Sequence, residues 1–193
     1  MKNKLYIALF LYFITHIGAQ AQHRRENIIK LGLIEPYYFS LGIAYERFIP
    51  ETEISIQVYT SFTQRNITIW DNLKPTMIGF SGELQGRYYL TAKKRKTASG
   101  IYNGVFGKYA TNKISMKIPE GTVNFLDGNS KVFGLLVGYQ QGFNNRFFID
   151  LTMGSGYHKA DYSGKFSDKG RIIPSLISSG FIPKFDFRVG LAF

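Results

Sequence analysis

Cysteine is absent from the 193-residue sequence. Its absence excludes a disulfide framework, a thiolate metal site, a cysteine nucleophile and a lipid-modified N-terminal cysteine. The mean hydropathy of -0.10 is too polar for a bundle of membrane helices. At the same time, 17 phenylalanines and 13 tyrosines are too many for a disordered basic tail, although basic residues outnumber acidic ones by 24 to 13. These features favour a globular or barrel-like chain, and the length suits a single domain.

The first 21 residues differ from the rest of the sequence. Two lysines precede an apolar run from Leu5 to Ile17, and small residues follow at Ala19 and Ala21. The run is too short for a membrane-spanning helix, which needs roughly 20 apolar residues, and the Ala-x-Ala spacing is one that signal peptidase cleaves. We therefore predict a cleaved secretory signal over residues 1–21, and a single exported domain over residues 22–193.

Beyond the signal, apolar residues alternate with small or polar ones. Between Phe39 and Ile49, for example, most odd positions are apolar and most even positions are small or polar. This period of two predicts half-buried β-strands and an all-β fold. Eight segments form the series: 27–34, 39–49, 54–63, 78–90, 101–109, 132–141, 147–158 and 184–193. In the fifth segment the phase is open, because Asn103 and Lys108 compete for the inward face.

Segment length and connection length distinguish a membrane barrel from a soluble sandwich, whose strands also alternate. The segments run about 8–12 residues, near the 9–11 that a tilted strand needs to cross a bilayer. Long connections over 65–76, 111–130 and 159–183 alternate with shorter ones, an asymmetry typical of outer-membrane barrels. We predict an eight-stranded antiparallel up-and-down transmembrane β-barrel, with turns at one end and loops at the other. Ten strands remain open if residues 172–177 form their own hairpin.

The C-terminal segment Phe185-Asp-Phe-Arg-Val-Gly-Leu-Ala-Phe193 alternates up to a final aromatic residue. With the signal and the eight segments, this ending resembles the small eight-stranded outer-membrane barrels of Gram-negative bacteria, the OmpA-barrel and OmpX-like group. The sequence is most similar to an uncharacterised barrel family of Bacteroidota, for which no biochemical activity is implied. The resemblance implies an outer-membrane location and recognition by the barrel-assembly machinery. In that group the assembly signal maps onto Phe187, Val189, Leu191 and Phe193.

The inward-facing row of an eight-stranded barrel must fill a lumen only just wide enough for its own side chains. The row assigned here holds many glycines and seven charged residues: Lys30, Glu46, Glu83, Arg87, Asp150, Asp186 and Arg188. Buried charges are tolerated when they are paired, so we predict an ion-pair network that plugs the lumen. Two acids on adjacent strands could instead form a general acid and base.

One arrangement in the sequence resembles a catalytic triad. His158, Asp161 and Ser163 lie close together at the predicted loop edge, where outer-membrane enzymes that modify lipid A or cleave peptides place such residues. The arrangement lacks a His-x-Ser pair, because Lys159 and Ala160 follow His158. We therefore predict no enzymatic activity and no cofactor. The other two histidines are scattered along the sequence, so no metal site is predicted.

The excess of basic residues indicates either an anionic partner or charged surfaces that face water. Residues 93–96 form a cationic run in a predicted periplasmic turn, and the last long loop is basic as well. Phosphates of lipopolysaccharide and of phospholipid head groups are the nearest anions for a membrane barrel, and nucleic acid is not an expected partner. Charge runs that simply face water are the alternative explanation.

The three long loops are the predicted functional surface. Exposed loops on a rigid scaffold commonly bind partners, so we expect a surface structural or interaction protein with an unknown loop ligand. A narrow channel or transporter for a small or hydrophobic solute is the first alternative, and it needs an open lumen or a lateral gap. A lipid A-modifying enzyme and a soluble periplasmic sandwich or lipid-binding barrel are the others.

Overall fold

The computed structural model describes seven stretches of the chain: 27–34, 40–66, 76–90, 99–117, 123–143, 146–164 and 179–193. Eight strands run through them: β1 (Asn27–Ile34), β2 (Ser40–Phe48), β3 (Ile54–Asn66), β4 (Thr76–Tyr89), β5 (Gly100–Lys117), β6 (Val123–Phe143), β7 (Phe147–Gly164) and β8 (Gly180–Ala192). These stretches contain no helix long and apolar enough to cross a membrane. The predicted signal, with Ala19 and Ala21, lies outside the described residues.

Each strand pairs antiparallel with its neighbours in sequence, and β1 pairs with β8 to close the sheet. At this seam Ile28 lies opposite Ala192, and the N–H of Phe193 donates to the carbonyl of Asn27 at 3.0 Å. A closed sheet leaves no free edge, which is what a sheet surrounded by lipid requires. The predicted all-β, eight-stranded up-and-down barrel is confirmed. The barrel closes with eight strands, and residues 172–177, proposed for an extra hairpin, lie outside the described residues.

Side chains alternate between the two faces of the sheet. On β4, Ile78 and Phe80 project outward and are exposed, whereas Glu83 and Arg87 point inward and are buried. An outward apolar row and an inward polar row are typical of a strand with lipid on one side and a filled lumen on the other. On β5 the same alternation places Lys108 on the inward face. This decides which side chains of the fifth strand point inward, a question that the sequence left open.

The wall of the barrel is much taller on one side than on the other. β1 and β2 contain 8 and 9 residues, whereas β5, β6 and β7 contain 18, 21 and 18. The predicted bounds of the long loops over 111–130 and 159–183 are wrong on the tall side, because β5 continues to Lys117, β6 begins at Val123 and β7 continues to Gly164. The described outward side chains of these extensions, such as Lys113, Asp127 and Asp161, are polar, so the alternation of hydropathy is lost there although the backbone pairing continues.

Aromatic rings occupy the interior where a neighbouring strand has glycine. Tyr59 lies against Gly32 and Gly42, and Tyr102 lies against Gly138. A Cβ atom at any of these glycines would collide with the tyrosine, so each glycine makes room for a ring in a narrow lumen. The inward glycines therefore make room for aromatic rings as well as for polar side chains such as Asn112 beside Gly79.

Candidate functional site

Four charged side chains form a cluster in the barrel interior near the turn end. Lys30 Nζ lies 2.6 Å from Glu46 Oε2 and 2.5 Å from Asp150 Oδ2. Arg87 Nη1 lies 2.8 Å from the same oxygen of Asp150 and 3.5 Å from Glu46 Oε1. All four side chains are buried, and two cations face two carboxylates. We call this set the turn-end cluster.

Three aromatic rings pack together in the barrel interior beside the turn-end cluster. The rings of Phe48 and Tyr89 have centroids 5.0 Å apart, and those of Tyr89 and Tyr102 lie 5.1 Å apart. The Tyr89 hydroxyl donates to Glu46 at 2.9 Å, and the Tyr102 hydroxyl donates to Asp150 at 2.6 Å. The rings therefore satisfy carboxylate oxygens of the cluster while they fill the lumen.

A second charged cluster lies closer to the loop end. Lys184 Nζ is 2.8 Å from a carboxylate oxygen of Glu83 and 2.8 Å from one of Asp186. Arg188 Nη2 is 3.0 Å from Asp186 and 3.7 Å from Glu83, and its guanidinium lies 4.5 Å from the centre of the Tyr59 ring. We call Glu83, Lys184, Asp186 and Arg188 the loop-end cluster. It also contains two cations and two carboxylates.

A single glutamine joins the two clusters. Gln85 donates to the carboxylate of Glu83 and accepts a hydrogen bond from Nε of Arg87 at 2.7 Å. The interior charges therefore form one connected polar system that runs along the barrel axis. Such a system is stable only because nearly every charge faces an opposite one.

The structure places all seven residues of the predicted network in the interior, divided between the two clusters. It adds Lys184, which the prediction omits although Lys184 shares the phase of Asp186 and Arg188. Lys184 lies at the start of β8 beside a basic connection, and the sequence does not distinguish a lumen lysine there from a loop lysine. Its position two residues before Asp186 is the sequence feature that identifies Lys184 as an inward residue.

A cavity of about 60 Å³ borders the loop-end cluster toward the loop end. We call it the chamber. Phe106, Val132 and Ile182 give it apolar walls, while Lys108 and Lys184 give it positive charge, and Lys184 Nζ lies 4.8 Å from the centre of the Phe106 ring. Its volume suits a few water molecules rather than a large organic substrate.

The residues that resemble a catalytic triad lie on opposite faces of β7. His158 points into the barrel and is buried, whereas Asp161 and Ser163 point outward and are exposed. A nucleophile, a base and an orienting acid must touch one another, so these three residues cannot form a triad. Among the residues that the structure describes, no group of three His, Asp or Glu side chains could hold a metal ion.

The predicted assembly signal lies at the end of the last strand. Phe187, Val189 and Leu191 share the outward phase on β8, and Phe193 directly follows the strand. Leu191 is 52% exposed, and the other three are half-buried. An apolar row on the outer face is therefore available for recognition. The cationic run over residues 93–96 lies outside the described residues.

Comparison with solved structures gives matches to eight-stranded outer-membrane barrels. CarO of Acinetobacter baumannii matches with a TM-score of 0.52 at 11% identity, covering 86% of this chain and 96% of that one. The N-terminal β-barrel domain of Pseudomonas aeruginosa OprF matches at 0.46 with 15% identity, covering 86% and 96%. Neisserial surface protein A matches at 0.45 with 12% identity, covering 86% and 93%. The similarity to CarO shows a shared fold, which confirms the predicted resemblance to small outer-membrane barrels.

Comparisons with other sequences place the chain in a family without assigning an activity. The comparison with curated proteins gives no match. A family profile described as "Protein of unknown function (DUF3575)" matches residues 6–172, which is most of the chain. This result agrees with the predicted similarity to an uncharacterised barrel family. The chain belongs to the DUF3575 family.

Proposed function

We propose that this chain is an outer-membrane barrel with a closed lumen, which acts at the cell surface through its loop end and catalyses no reaction. The observation that carries the proposal is the turn-end cluster together with the three rings beside it. Lys30 contacts two carboxylates, and Arg87 contacts the same two. A solute or a column of water could pass only by separating these buried pairs, which costs about 3–5 kcal/mol for each pair broken.

The loop end supports the surface role. β5, β6 and β7 extend beyond the apolar part of the wall, and several of their outward side chains there are polar and exposed. Examples are Lys113, Asp127, Asn129 and Asp161. A projecting, water-compatible sheet on a rigid barrel is a suitable platform for a protein or glycan partner. The connections over 67–75, 118–122 and 165–178 join strands at this same end.

The remaining parts of the proposal concern targeting and partners. We propose that signal peptidase cleaves after Ala21 and that residues 22–193 fold as one domain. The row from Phe187 to Phe193 is the proposed signal for the barrel-assembly machinery. Outer-membrane lipids, including lipopolysaccharide, surround the barrel, a ligand of unknown identity binds its loops, and nucleic acid is not a partner.

Conductance across a planar lipid bilayer tests the closed lumen. We expect the wild-type barrel to give no steady current. The combined substitutions Arg87→Ala, Asp150→Ala and Tyr89→Ala remove one ion pair of the cluster and the middle ring of the three, and they leave Lys30 paired with Glu46, so we expect a steady current from that variant. The matched control is Lys113→Ala with Asp127→Ala, which removes one base and one acid from the outer face.

Folding and location are checked on the same samples. A closed barrel resists dodecyl sulfate until it is heated, so each variant must change its gel mobility on boiling, and the wild type must sediment with the washed outer-membrane fraction. A steady current through the folded wild-type barrel would overturn the closed lumen. A wild-type protein found in the soluble periplasmic fraction without a mobility change would overturn the membrane location.

A second candidate function is passage or storage of a small hydrophobic solute through the chamber. The outward residues Phe80 and Phe185 line part of the chamber. The pairing of β8 with β1 ends at Phe187, which lies opposite Ile34, so the residues of β8 that precede Phe187 lie outside this pairing. The low wall on this side favours lateral access from the membrane. Saturable binding of xenon, measured by xenon NMR, that is lost in Val132→Trp, which fills the chamber, would favour this function; unchanged binding would exclude it.

A further inference from the structure

Two lysines lie side by side on the outer face of the barrel. Lys131 of β6 is directly opposite Lys159 of β7, and both project outward and are exposed. The same row continues across the sheet to Tyr109 of β5 and Gly82 of β4. Neighbouring strands are about 4.8 Å apart, so these four residues form one short line across the wall.

The lysine pair is unfavourable by itself. Like charges that face each other across a strand pair repel and reduce stability. Neither lysine forms an ion pair or a hydrogen bond with any residue that the structure describes. Asp161, two residues from Lys159 on the same face, makes no ion pair within that part of the chain either. An anion held between the two ammonium groups would remove the repulsion.

The row marks the border between the apolar and the polar parts of the outer wall. Toward the turn end the next row contains Phe133 and Tyr157, both large, exposed and apolar. Toward the loop end the next row contains Asn129 and Asp161. Aromatic rings with cations just beyond them are typical of the level at which lipid head groups lie.

A groove in the outer wall begins beside Lys131. Its floor is formed by Gly82 and Gly107, where an added Cβ atom would meet nothing within 4 Å. Leu84, Tyr109 and Lys131 line it as well, together with the inward charged residues Glu83 and Lys108. The groove therefore combines an apolar channel with a cation at one end, which matches the shape and charge of a lipid that has an acyl chain and an anionic head group.

We infer that Lys131 and Lys159 bind the phosphate of a membrane lipid, with an acyl chain of that lipid in the groove over Gly82 and Gly107. The inference rests on the membrane location in the proposed function, because it requires lipid against the outer wall. It adds a specific ligand class and a specific site to that function. Two ammonium groups and a phosphate carry opposite charges at neutral pH, and the surrounding lipid excludes much of the competing water.

A tryptophan beside the pair reports which lipid is in contact with it. Trp70 is the sole tryptophan of the chain, so Trp70→Phe with Phe133→Trp gives a single reporter one row from the lysines. The barrel is reconstituted in phosphatidylcholine vesicles in which either the phosphatidylcholine or an added fraction of phosphatidic acid carries brominated acyl chains, which quench tryptophan. We expect phosphatidic acid to bind roughly fivefold more strongly than phosphatidylcholine near the reporter.

Substitutions identify the groups responsible. In the reporter chain, Lys131→Gln with Lys159→Gln should reduce the preference to about onefold, while Lys131→Arg with Lys159→Arg should retain it. Lys113→Gln, which removes an outward lysine from β5 four residues from Tyr109, is the matched control and should leave the preference unchanged. All variants must show the heat-dependent change in gel mobility.

The outcomes separate this inference from the membrane location. Quenching by brominated phosphatidylcholine without any preference for phosphatidic acid would overturn the lipid site and leave the barrel in the membrane. Absence of quenching by either lipid would overturn the membrane location itself. If inorganic phosphate abolishes the preference while sodium chloride of equal ionic strength does not, the site takes free phosphate, and the lipid assignment is wrong.

Discussion

The turn-end cluster and the loop-end cluster contain the same charges but are packed differently. In the turn-end cluster, Lys30 and Glu46 are completely buried, and aromatic hydroxyls bind the carboxylates. In the loop-end cluster, the side chain of Lys184 is 9% exposed and lies beside the chamber. Two cations and two carboxylates can therefore either seal a lumen or line a cavity, and the neighbouring rings determine which.

The difference between the two clusters follows from where the aromatic rings lie and from whether they pack against one another or against glycines of the wall. Near the turn end, Tyr89 stacks between Phe48 and Tyr102, so three rings fill the cross-section. Near the loop end, Phe106 lies against Gly134 and Gly156, and Tyr59 lies against Gly32 and Gly42. Rings that pack against glycines of the wall leave more space at the centre of a barrel of this size than three rings stacked on one another.

Removing a turn-end carboxylate should have the largest effect. Asp150→Asn leaves Lys30 and Arg87 sharing Glu46, so one buried cation lacks a full partner. We expect a loss of about 3–5 kcal/mol in the free energy of unfolding. Urea unfolding in lipid vesicles, followed by the mobility of unheated samples on gels, measures the loss.

The matched substitution at the loop-end cluster is Asp186→Asn. Glu83 still faces both Lys184 and Arg188 in that variant, and the chamber gives the cations access to water. We therefore expect less than half of the loss found for Asp150→Asn. Equal losses in the two variants would contradict the distinction between a sealed cluster and a hydrated one.

A glycine between the two clusters should have an intermediate effect. Gly32→Ala places a Cβ atom 2.8 Å from the Tyr59 hydroxyl oxygen, so the ring must move. We expect a loss of about 1–3 kcal/mol in unfolding free energy, measured by the same urea titration. The control is Gly82→Ala on the outer face, where an added Cβ atom meets nothing within 4 Å, and its effect should stay within about 0.5 kcal/mol.

A second substitution checks the cause. Tyr59→Leu removes the ring that Gly32→Ala displaces, so the loss caused by Gly32→Ala should be much smaller in the Tyr59→Leu background. If the loss is the same in both backgrounds, the close contact between the ring and the glycine is not its origin.

The smallest effect is expected for Lys184→Gln. The side chain is partly exposed, and Arg188 still faces Glu83 at 3.7 Å, so the carboxylates keep one partner. We expect a loss of about 1 kcal/mol, and less for Lys184→Arg, which keeps the charge. A loss as large as that of Asp150→Asn would show that the loop-end cluster is as tightly sealed as the turn-end cluster.

The sequence predicts the parts of this fold that depend on a period of two. The strand count, the antiparallel order and the inward phase of residues such as Glu46 and Arg188 follow from alternation, because the wall has an apolar outer face and a polar inner face. The height of the wall could not be predicted in this way. Beyond the apolar part of the wall the outward side of β6 carries polar residues such as Asp127 and Asn129, so pairing continues without any change in hydropathy from one residue to the next.

The interior contacts were predictable only in part. Charge balance on the inward row indicates pairing, but it does not specify partners. Arg188 is directly opposite Asp150 in the register, yet its ion pairs are with Asp186 and Glu83. The inward rings at Tyr59 and Tyr102 were also not predicted, because tyrosine is common on both faces of a membrane strand and only the glycines across from it distinguish the two.

The contacts of Lys30 join strands that lie far apart in the sequence. Lys30 lies in the first strand and Asp150 in the seventh, 120 residues later, so their contact has a very high sequence separation. A chain that is made from its N-terminus exposes Lys30 early and supplies Asp150 only when most strands exist. The contact requires the same approach of first and last strands that brings β1 against β8. The ion pair between Lys30 and Asp150 is therefore a long-range contact that the closed order of the strands provides, and it stabilises closure of the sheet.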